Sequence, residues 1–383
     1  MTAIDLTCEG RLEVTPFVNE RKVLAMREMI KGINFGGYAS ERAAVDLKET
    51  LATTDGIHSF AHLANIRNLP DWDKAERQWS KIASIETVDD FEPTTFQRLD
   101  FNFDTLKHGK GNKGARVSPK VAELDTYQYA FGYSEETVKA AIEKRGWKFG
   151  LSLERILSKL RPYVRDLPGD MLEVALDTDE FLVFDALQTG VTTASRLSAG
   201  TAPITGASVA QNAPFSVDAL RLGLSQIAAR TVNSKKVQLA PRYYIVVASG
   251  QGEAVEAALE FAKTLISIEN GSLTYGPQPQ GNLGRIAGVI ESEWITNSLA
   301  WYVVPAAGTT RRPGLVKLQL SGRTAPEIMV NNFTGTLLRG GNGSSPFDLA
   351  HFDNDSVDLK LRQFTNSALI TQEQIVQSNG SGS

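Results

Sequence analysis

Cysteine is nearly absent: the 383 residues hold only Cys8. One thiol excludes an intrachain disulfide and a cysteine-based zinc cluster. Histidine is scarce too, at four residues. His58 and His62 have the i, i+4 spacing of helical metal ligands, but no Glu adjoins the first and no third ligand is evident, so no metal site is expected. His108 and His351 stand apart. No run of about 18 apolar residues occurs, so no segment reads as a membrane-spanning helix. There is no basic surplus: the formal net charge is -4. Tight, sequence-independent binding of nucleic acid needs such a surplus to displace counterions and is not expected. A mildly acidic chain can still lie beside DNA without gripping it. The stretch from Met1 to Phe17 lacks the basic and apolar regions of a secretory leader, so synthesis in a reducing cytoplasm is expected. No internal repeat and no G-x-S-x-G nucleophile elbow occur.

What is present is a chain able to bury a sizeable core: 42% of residues are hydrophobic, 22% charged and 8% aromatic. Its length suits one large domain or two to three modest ones. Asn19 to Lys31 reads as an amphipathic helix, with Val23, Leu24, Met26 and Ile30 apolar, ended by Gly32. Asp71 to Lys81 reads as a short helix carrying Trp72 and Trp79. Thr95 to Phe103 alternates Leu99, Phe101 and Phe103 with Arg98, Asp100 and Asn102, the pattern of a strand with one apolar face. A second extended stretch is expected over Val121 to Tyr133. Between them, residues 104–120 hold five Lys/Arg and one Asp, a net of +4, so the pair reads as a projecting hairpin with a basic tip.

Ser134 to Arg145 is expected to be a helix capped by Ser134 and closed by Gly146, followed by a short helix over Ser152 to Leu160. Pro168-Gly169 opens the longest expected helix, Asp170 to Thr189, stopped by Gly190 and spanning about 30 Å. Leu172, Leu176, Val183 and Leu187 share a face, flanked by Asp179 and Glu180. Residues 190–214 read as loop. An α/β pattern follows: a helix over Ser216 to Arg230, a buried strand at Tyr243 to Val247, and a helix over Gln251 to Ile266. Short strands are expected at Gly288 to Ile290, Ala300 to Pro305 and Val316 to Leu320.

Two glycine patterns invite a nucleotide reading. Gly109 to Gly114, GKGNKG, has the dinucleotide spacing, but Pro119 follows where a helix should open, and a basic hairpin tip is favoured. The turn at Gly250 and Gly252 sits correctly between a strand and a helix, but Val255 fills the third small position and no Lys-Ser/Thr pair follows. An ordinary strand-turn-helix connection is favoured. Asp348, Asp353, Asp355 and Asp358 lack the Gly and Glu of a calcium loop and read as a polar turn. The five tryptophans, Trp72, Trp79, Trp147, Trp294 and Trp301, read as packing anchors. No catalytic, cofactor-binding or metal-ligating residue is assigned, and no cofactor is expected.

The end of the chain alternates Val357, Leu359 and Leu361 with Asp358, Lys360 and Arg362, a period-two strand, and closes on Ser378, Asn379 and Gly380. This wording resembles the end of tailed-phage major capsid proteins of the Hong Kong 97 fold. Upstream, FAHLANIRNLPDWDKAERQW is similar to that family's N-terminal arm, Thr95 to Tyr133 to its extended loop, and Asp170 to Thr189 to its spine helix. PRYYIVVASGQGEAVEAALEF resembles its axial strand-helix unit. The resemblance covers residues 57–383; residues 1–56 match nothing in it. It implies an α+β Hong Kong 97-like capsid fold. Residues 1–92 would form an arm and extension, 93–133 the extended loop, 134–214 a peripheral domain with spine helix 170–189, 215–310 an axial domain, and 311–383 a return to the peripheral domain.

The resemblance further implies a shell of pentamers and hexamers assembled in a bacterial host's cytoplasm. Portal, decoration or scaffold proteins would be its partners, with packaged double-stranded DNA held loosely and no membrane contact. Some relatives link Lys to Asn between subunits. Lys107, Lys110 or Lys113 would be the donor here and Asn366 the acceptor, but no catalytic acid is fixed and the link is not expected. Two rivals stay open: an encapsulin-like nanocompartment with the same fold, and a nucleotide-binding α/β enzyme using Gly250 and Gly252.

Overall fold

The structure, a computed structural model, describes residues 72, 74–102, 123, 131–232, 235–269, 272–277, 281–310, 312–330, 335–338, 344–347 and 356–382. The expected helix at Asn19 to Lys31, Cys8, the four histidines, the GKGNKG tip with Lys107, Lys110, Lys113, Arg116 and Lys120, and Asp348, Asp353 and Asp355 lie outside them. Strands β1 (Ala83–Val88), β2 (Thr94–Asn102), β3 (Phe131–Ala140) and β4 (Glu143–Ser152) precede helix α1 (Leu153–Gly190). Then come β5 (Gly200–Thr201), β6 (Ser208–Val209), α2 (Val217–Ala229), β7 (Thr231–Val232), β8 (Lys235–Lys236), β9 (Tyr243–Ala248) and α3 (Gly252–Lys263). β10 (Thr264–Glu269), β11 (Ser272–Pro277), β12 (Ile286–Ser292), β13 (Trp301–Pro305) and β14 (Leu315–Leu320) follow. The chain ends through β15 (Glu327–Val330), β16 (Gly335–Leu338), β17 (Ser344–Phe347), β18 (Ser356–Leu369) and β19 (Val376–Ser378).

Two compact units divide these elements. The larger holds Glu76–Glu143, Asp177–Gly322 and Thr365–Ser383. Its centre is set by YYIVVA and WYVVP, unbroken apolar runs of the kind that form strands covered on both faces. They become β9 and β13 in a four-stranded sheet of order β12, β9, β13, β19. β9 is parallel to β12 and antiparallel to β13. Side chains alternate across a strand, so the sheet deals its residues to two cores. Ile245, Val247, Trp301 and Val303 pack with Leu220, Leu224 and Ile227 of α2. Val246, Ala248, Tyr302 and Val304 pack with Val183, Phe184 and Leu187 of α1 and with Trp79. α2 starts where expected: the Ser216 hydroxyl accepts from the Ala219 N–H at 3.1 Å, satisfying one free donor of the first turn. In the same unit β14 lies parallel to β1 and antiparallel to residues 365–369 of β18, and β2 pairs antiparallel with β3.

The smaller unit contains Lys144–Leu176 and Arg323–Phe364. β4 and β15 both pair with β18, β15 through the register Glu327↔Arg362 to Val330↔Leu359. The Arg362 guanidinium donates to Glu327 from Nε at 3.1 Å and also from Nη2, and it lies 5.0 Å from the Phe364 ring centre. At Gly146 a Cβ would overlap the Leu361 carbonyl of β18, so only glycine allows this approach of the two backbones.

Four expectations are corrected. Ser134 to Arg145 is not a helix but the end of β3 and the start of β4. Its Glu, Ala and Lys content favours helix, but the nine-residue ladder with β2 outweighs that preference. The helix expected to open at Pro168-Gly169 begins at Leu153, absorbing the separate helix expected over Ser152 to Leu160. The helical spacing of Leu153, Ile156, Leu160, Val164, Leu167 and Met171 continues past Pro162 and Pro168, each of which lacks one N–H donor within a 38-residue helix. α3 stops at Lys263, and Ile266 belongs to the β10–β11 hairpin rather than to the helix. The helix expected over Asp71 to Lys81 is interrupted: Trp72 and Lys74 are helical, residues 75–77 are irregular, and Gln78–Lys81 forms a 3-10 turn.

Candidate functional site

The Gly250–Gly252 turn has the strand-turn-helix form, and Gly250 adopts φ +84°. The helix N-terminus, where a phosphate would sit, is already occupied. The Glu291 carboxylate of β12 accepts a hydrogen bond from the Gly252 N–H. The chain thus supplies its own anion to the helix dipole.

The most unusual charges lie in β14 and α1, where no local spacing marks them. Lys317 of β14 and Asp179 of α1 are 1% and 0% exposed, and the Lys317 ammonium donates to Asp179 Oδ2. Thr365 donates to Asp179 Oδ1 at 2.9 Å, and Lys317 Nζ stands 4.3 Å from the Trp79 ring centre. Burial pulls the Lys317 pKa from the ordinary 10.5 down to about 8, although Asp179 works against the shift. Burial likewise raises the Asp179 pKa against the pull of Lys317 and Thr365. Both groups are thus pushed toward neutrality, so desolvation exceeds their mutual attraction. Sealed from solvent, the pair can join α1, β14 and β18, but it cannot reach a substrate. In LVKLQL, Lys317 and Gln319 alternate with Val316, Leu318 and Leu320 and look like a wet face, yet every residue of β14 is buried.

The closing residues are built into the larger unit. β19 pairs with β13. Ser378 Oγ donates to the Ala213 carbonyl at 2.6 Å, and Asn297 Nδ2 donates to the Asn379 carbonyl at 2.9 Å. Gly380 takes φ +72°, and a Cβ there would overlap the Leu299 carbonyl, so the place has no room for a side chain. Arg230 Nη1 donates to the carbonyls of Gln372, Glu373 and Ile375 at 3.3, 2.9 and 2.6 Å. Asn366 is held by its own chain: its amide donates to Ala141 O at 2.7 Å, and its Oδ1 accepts from Ser367 N at 2.8 Å.

Trp72, Trp79 and Trp301 are buried. Trp294 meets Phe181 edge-on at 5.6 Å, and Trp147 meets Phe149 at 6.3 Å. All five act as packing residues. Among the described residues no cluster of three His, Cys, Asp or Glu is placed to hold a metal ion, and no helix is long and apolar enough to cross a membrane.

The surface offers one further feature, an open groove of about 550 Å³ between α3 and β12. Glu253, Glu256 and Glu260 line one side, with Leu259, Leu283, Ile286 and Val289 among its apolar contacts.

The model of a family described as phage capsid protein matches residues 134–375. No curated protein matches the chain. Among solved structures, the SrpI encapsulin complex from Synechococcus elongatus PCC 7942 is 9% identical. It covers 81% of this chain and 90% of its own, with a TM-score of 0.45. The capsid of cyanophage P-SCSP1u is 8% identical over 80% and 89%, TM-score 0.43. The satellite phage P4 procapsid, which includes the size determination (Sid) protein, is 9% identical over 82% and 99%, TM-score 0.41.

Proposed function

The chain belongs to the phage capsid protein family, and from that membership we propose how its parts serve a shell. It is a major capsid protein with an α+β, Hong Kong 97-like fold, and its copies associate into the icosahedral shell of the virion. The observation that carries this reading is the family match over residues 134–375, which runs from β3 to beyond β18. The family is that of phage capsids, which favours a virus over an encapsulin-like compartment.

In the finer proposal, residues 1–92 are an arm and extension and 93–133 a loop that reaches a neighbouring copy. Residues 134–214 and 311–383 form the peripheral part with α1 as its spine, and 215–310 the axial part. A compact unit assembled from two separated stretches, Lys144–Leu176 and Arg323–Phe364, supports such a discontinuous peripheral part. Copies form pentamers and hexamers in the host cytoplasm and meet a portal and decoration or scaffold proteins. Double-stranded DNA is enclosed by loose contact, since a subunit of net charge -4 does not hold it by counterion release. The subunit has no catalytic role; the Gly250 turn closed by Glu291 supports this.

Negative-stain microscopy of the purified full-length chain tests the reading: closed shells of uniform diameter are expected. A stable monomer or dimer by light scattering, with saturable nucleotide binding by calorimetry, would overturn it.

A further inference from the structure

Resting on the capsid reading, we propose that the tip of the β5–β6 hairpin, centred on Ile204, is a contact between copies in the shell. Its partner is a second copy of this chain.

The hairpin's tip carries a local contradiction. Ile204 follows Pro203 and takes φ +80°. After a proline, that value belongs to the third residue of a type II turn, which glycine or asparagine normally supplies. A β-branched side chain in the left-handed region is a steric outlier. Packing of the side chain could offset such strain, yet Ile204 is 74% exposed, the highest value among the exposed large apolar residues described. In a lone subunit the residue therefore gains neither from its backbone nor from burial. Asparagine would suit both the turn and the water better. The side chain has a use only when something covers it. The tip is also held firmly. The Ala202 N–H donates to the Ala207 carbonyl at 2.8 Å, and the Gly206 N–H to the Ala202 carbonyl at 3.1 Å. Thr205 Oγ1 donates to Asp218 Oδ1 at 2.8 Å, and Ala202 and Val209 are buried in the core beneath α2. A tip fixed in this way presents its isoleucine with little further ordering on contact.

Charge identifies the partner. From Leu197 to Val217 the chain runs 21 residues without an Asp, Glu, Lys or Arg, although 22% of all residues are charged. Pro203, Ile204, Thr205 and Gly206 are all exposed, so the charge-free run is surface here and not core. The next charge along the chain, Asp218, is engaged by Thr205 and stands 3.7 Å from Arg221. A tip without a cation does not hold phosphate, which excludes nucleic acid and an anionic membrane surface. It fits the centre of a protein–protein contact, where charge is depleted. Copies of a chain with a net charge of -4 repel one another. A charge-free projection is where two of them can touch without adding to that repulsion. In a shell made of this chain, the surface within reach of the tip is another copy's.

The test substitutes position 204 in the full-length chain and scores shell yield in negative-stain images and by sedimentation. Ile204→Asn relieves the backbone and removes the aliphatic tip. The melting temperature of the unassembled subunit should hold or rise, while shell yield falls at least fivefold. Ile204→Leu keeps an aliphatic tip and should keep at least half the wild-type yield. A second readout does not depend on the variant assembling by itself. A chain with Cys8→Ser and Ile204→Cys, labelled with benzophenone maleimide, is assembled with excess wild-type chain. Illumination of these mixed shells should give crosslinked dimers of the chain on a denaturing gel. Wild-type yield from Ile204→Asn, a loss with Ile204→Leu as deep as with Ile204→Asn, or labelled shells that stay monomeric would each overturn the contact and leave the capsid reading intact. So would a melting temperature for Ile204→Asn below that of the wild type, which would show Ile204 packed within its own subunit. A wild-type chain that forms no shells would instead overturn the capsid reading.

Discussion

Replacing Lys317 by methionine alone should destabilise the subunit by about 3–5 kcal/mol, whereas replacing Asp179 and Lys317 together should not. In the single variant Asp179 stays fully buried with only the Thr365 hydroxyl, at 2.9 Å, of its two donors in this cluster. Without the Lys317 ammonium the carboxylate, still drawn on by Arg77, must either remain charged in a poorly polarisable core or take up a proton. In the double variant Asp179→Leu/Lys317→Met both desolvation costs vanish and apolar volume replaces them. Burial pulls Lys317 from 10.5 to about 8 even with Asp179 opposing it, a net penalty on the order of 3 kcal/mol at about 1.4 kcal/mol for each pH unit. The double variant should therefore match the wild type or exceed it by up to about 3 kcal/mol, a large share of an ordinary stability of about 5–15 kcal/mol. Urea unfolding of the unassembled subunit, followed by tryptophan fluorescence, reads both values, since Trp79 stacks on the Lys317 ammonium. A double variant at least about 3 kcal/mol less stable than wild type would refute the reasoning. So would a Lys317→Met variant within about 1 kcal/mol of it.

The same pair fixes a pH dependence. Because the folded chain releases the Lys317 proton at about 8 and the unfolded chain only near 10.5, stability should rise as pH climbs through that window. Compared with the double variant, the wild type should gain between pH 7.5 and 9.5 in the same urea titration, and a constant difference would contradict this. Gly380→Ala forces a side chain into φ +72° and onto the Leu299 carbonyl. It should cost more than about 1 kcal/mol in the same unfolding assay, and an unchanged midpoint would count against the built-in tail. Glu291→Gln keeps an acceptor for Gly252 but removes the charge from the start of α3. A loss of about 0.3–1 kcal/mol is expected, with calorimetry against ATP flat for the wild type; saturable ATP binding would show the turn to be a nucleotide site after all.

The sequence was most legible where one periodicity dominated. YYIVV and WYVVP read directly as buried strands, and the Ser216 cap with Leu220, Leu224 and Ile227 read directly as α2. The strand beginning around Val357 was legible too, although it runs on to Leu369. Legibility failed where partners are distant. β1 and β15 are short and earn their strand character from β14 and β18 rather than from their own pattern. Residues 134–145 carry a helical composition, and only the ladder to Thr94–Asn102 and the pairing of β4 with β18 make strands of them. Nothing local signals the burial of Lys317, because its counter-charge lies 138 residues earlier in the chain. The helix over Gln251 to Ile266 was legible as far as Lys263, but nothing local reveals that β12 lies beside it.

The two edges of that four-stranded sheet are treated differently, and the difference bears on assembly. β19 is only three residues long. Its outer side is covered by a bridge from Arg196 to Gln377 and by the Leu197 N–H donating to the Gln377 carbonyl at 2.8 Å. Arg230 and Ser378 pin the chain on either side of it. A short, pinned edge offers little for another chain to pair with. β12, at seven residues, is more than twice as long and carries no strand on its outer side among the described residues. Left bare, such an edge would invite pairing with the same edge of any other copy. The glutamates of α3 oppose that: two copies meeting edge to edge would bring two acidic walls together, a like-charge contact that disfavours the wrong partner. One row of carboxylates thus disfavours symmetric edge pairing between copies, a selectivity that matters in a shell because each contact is repeated.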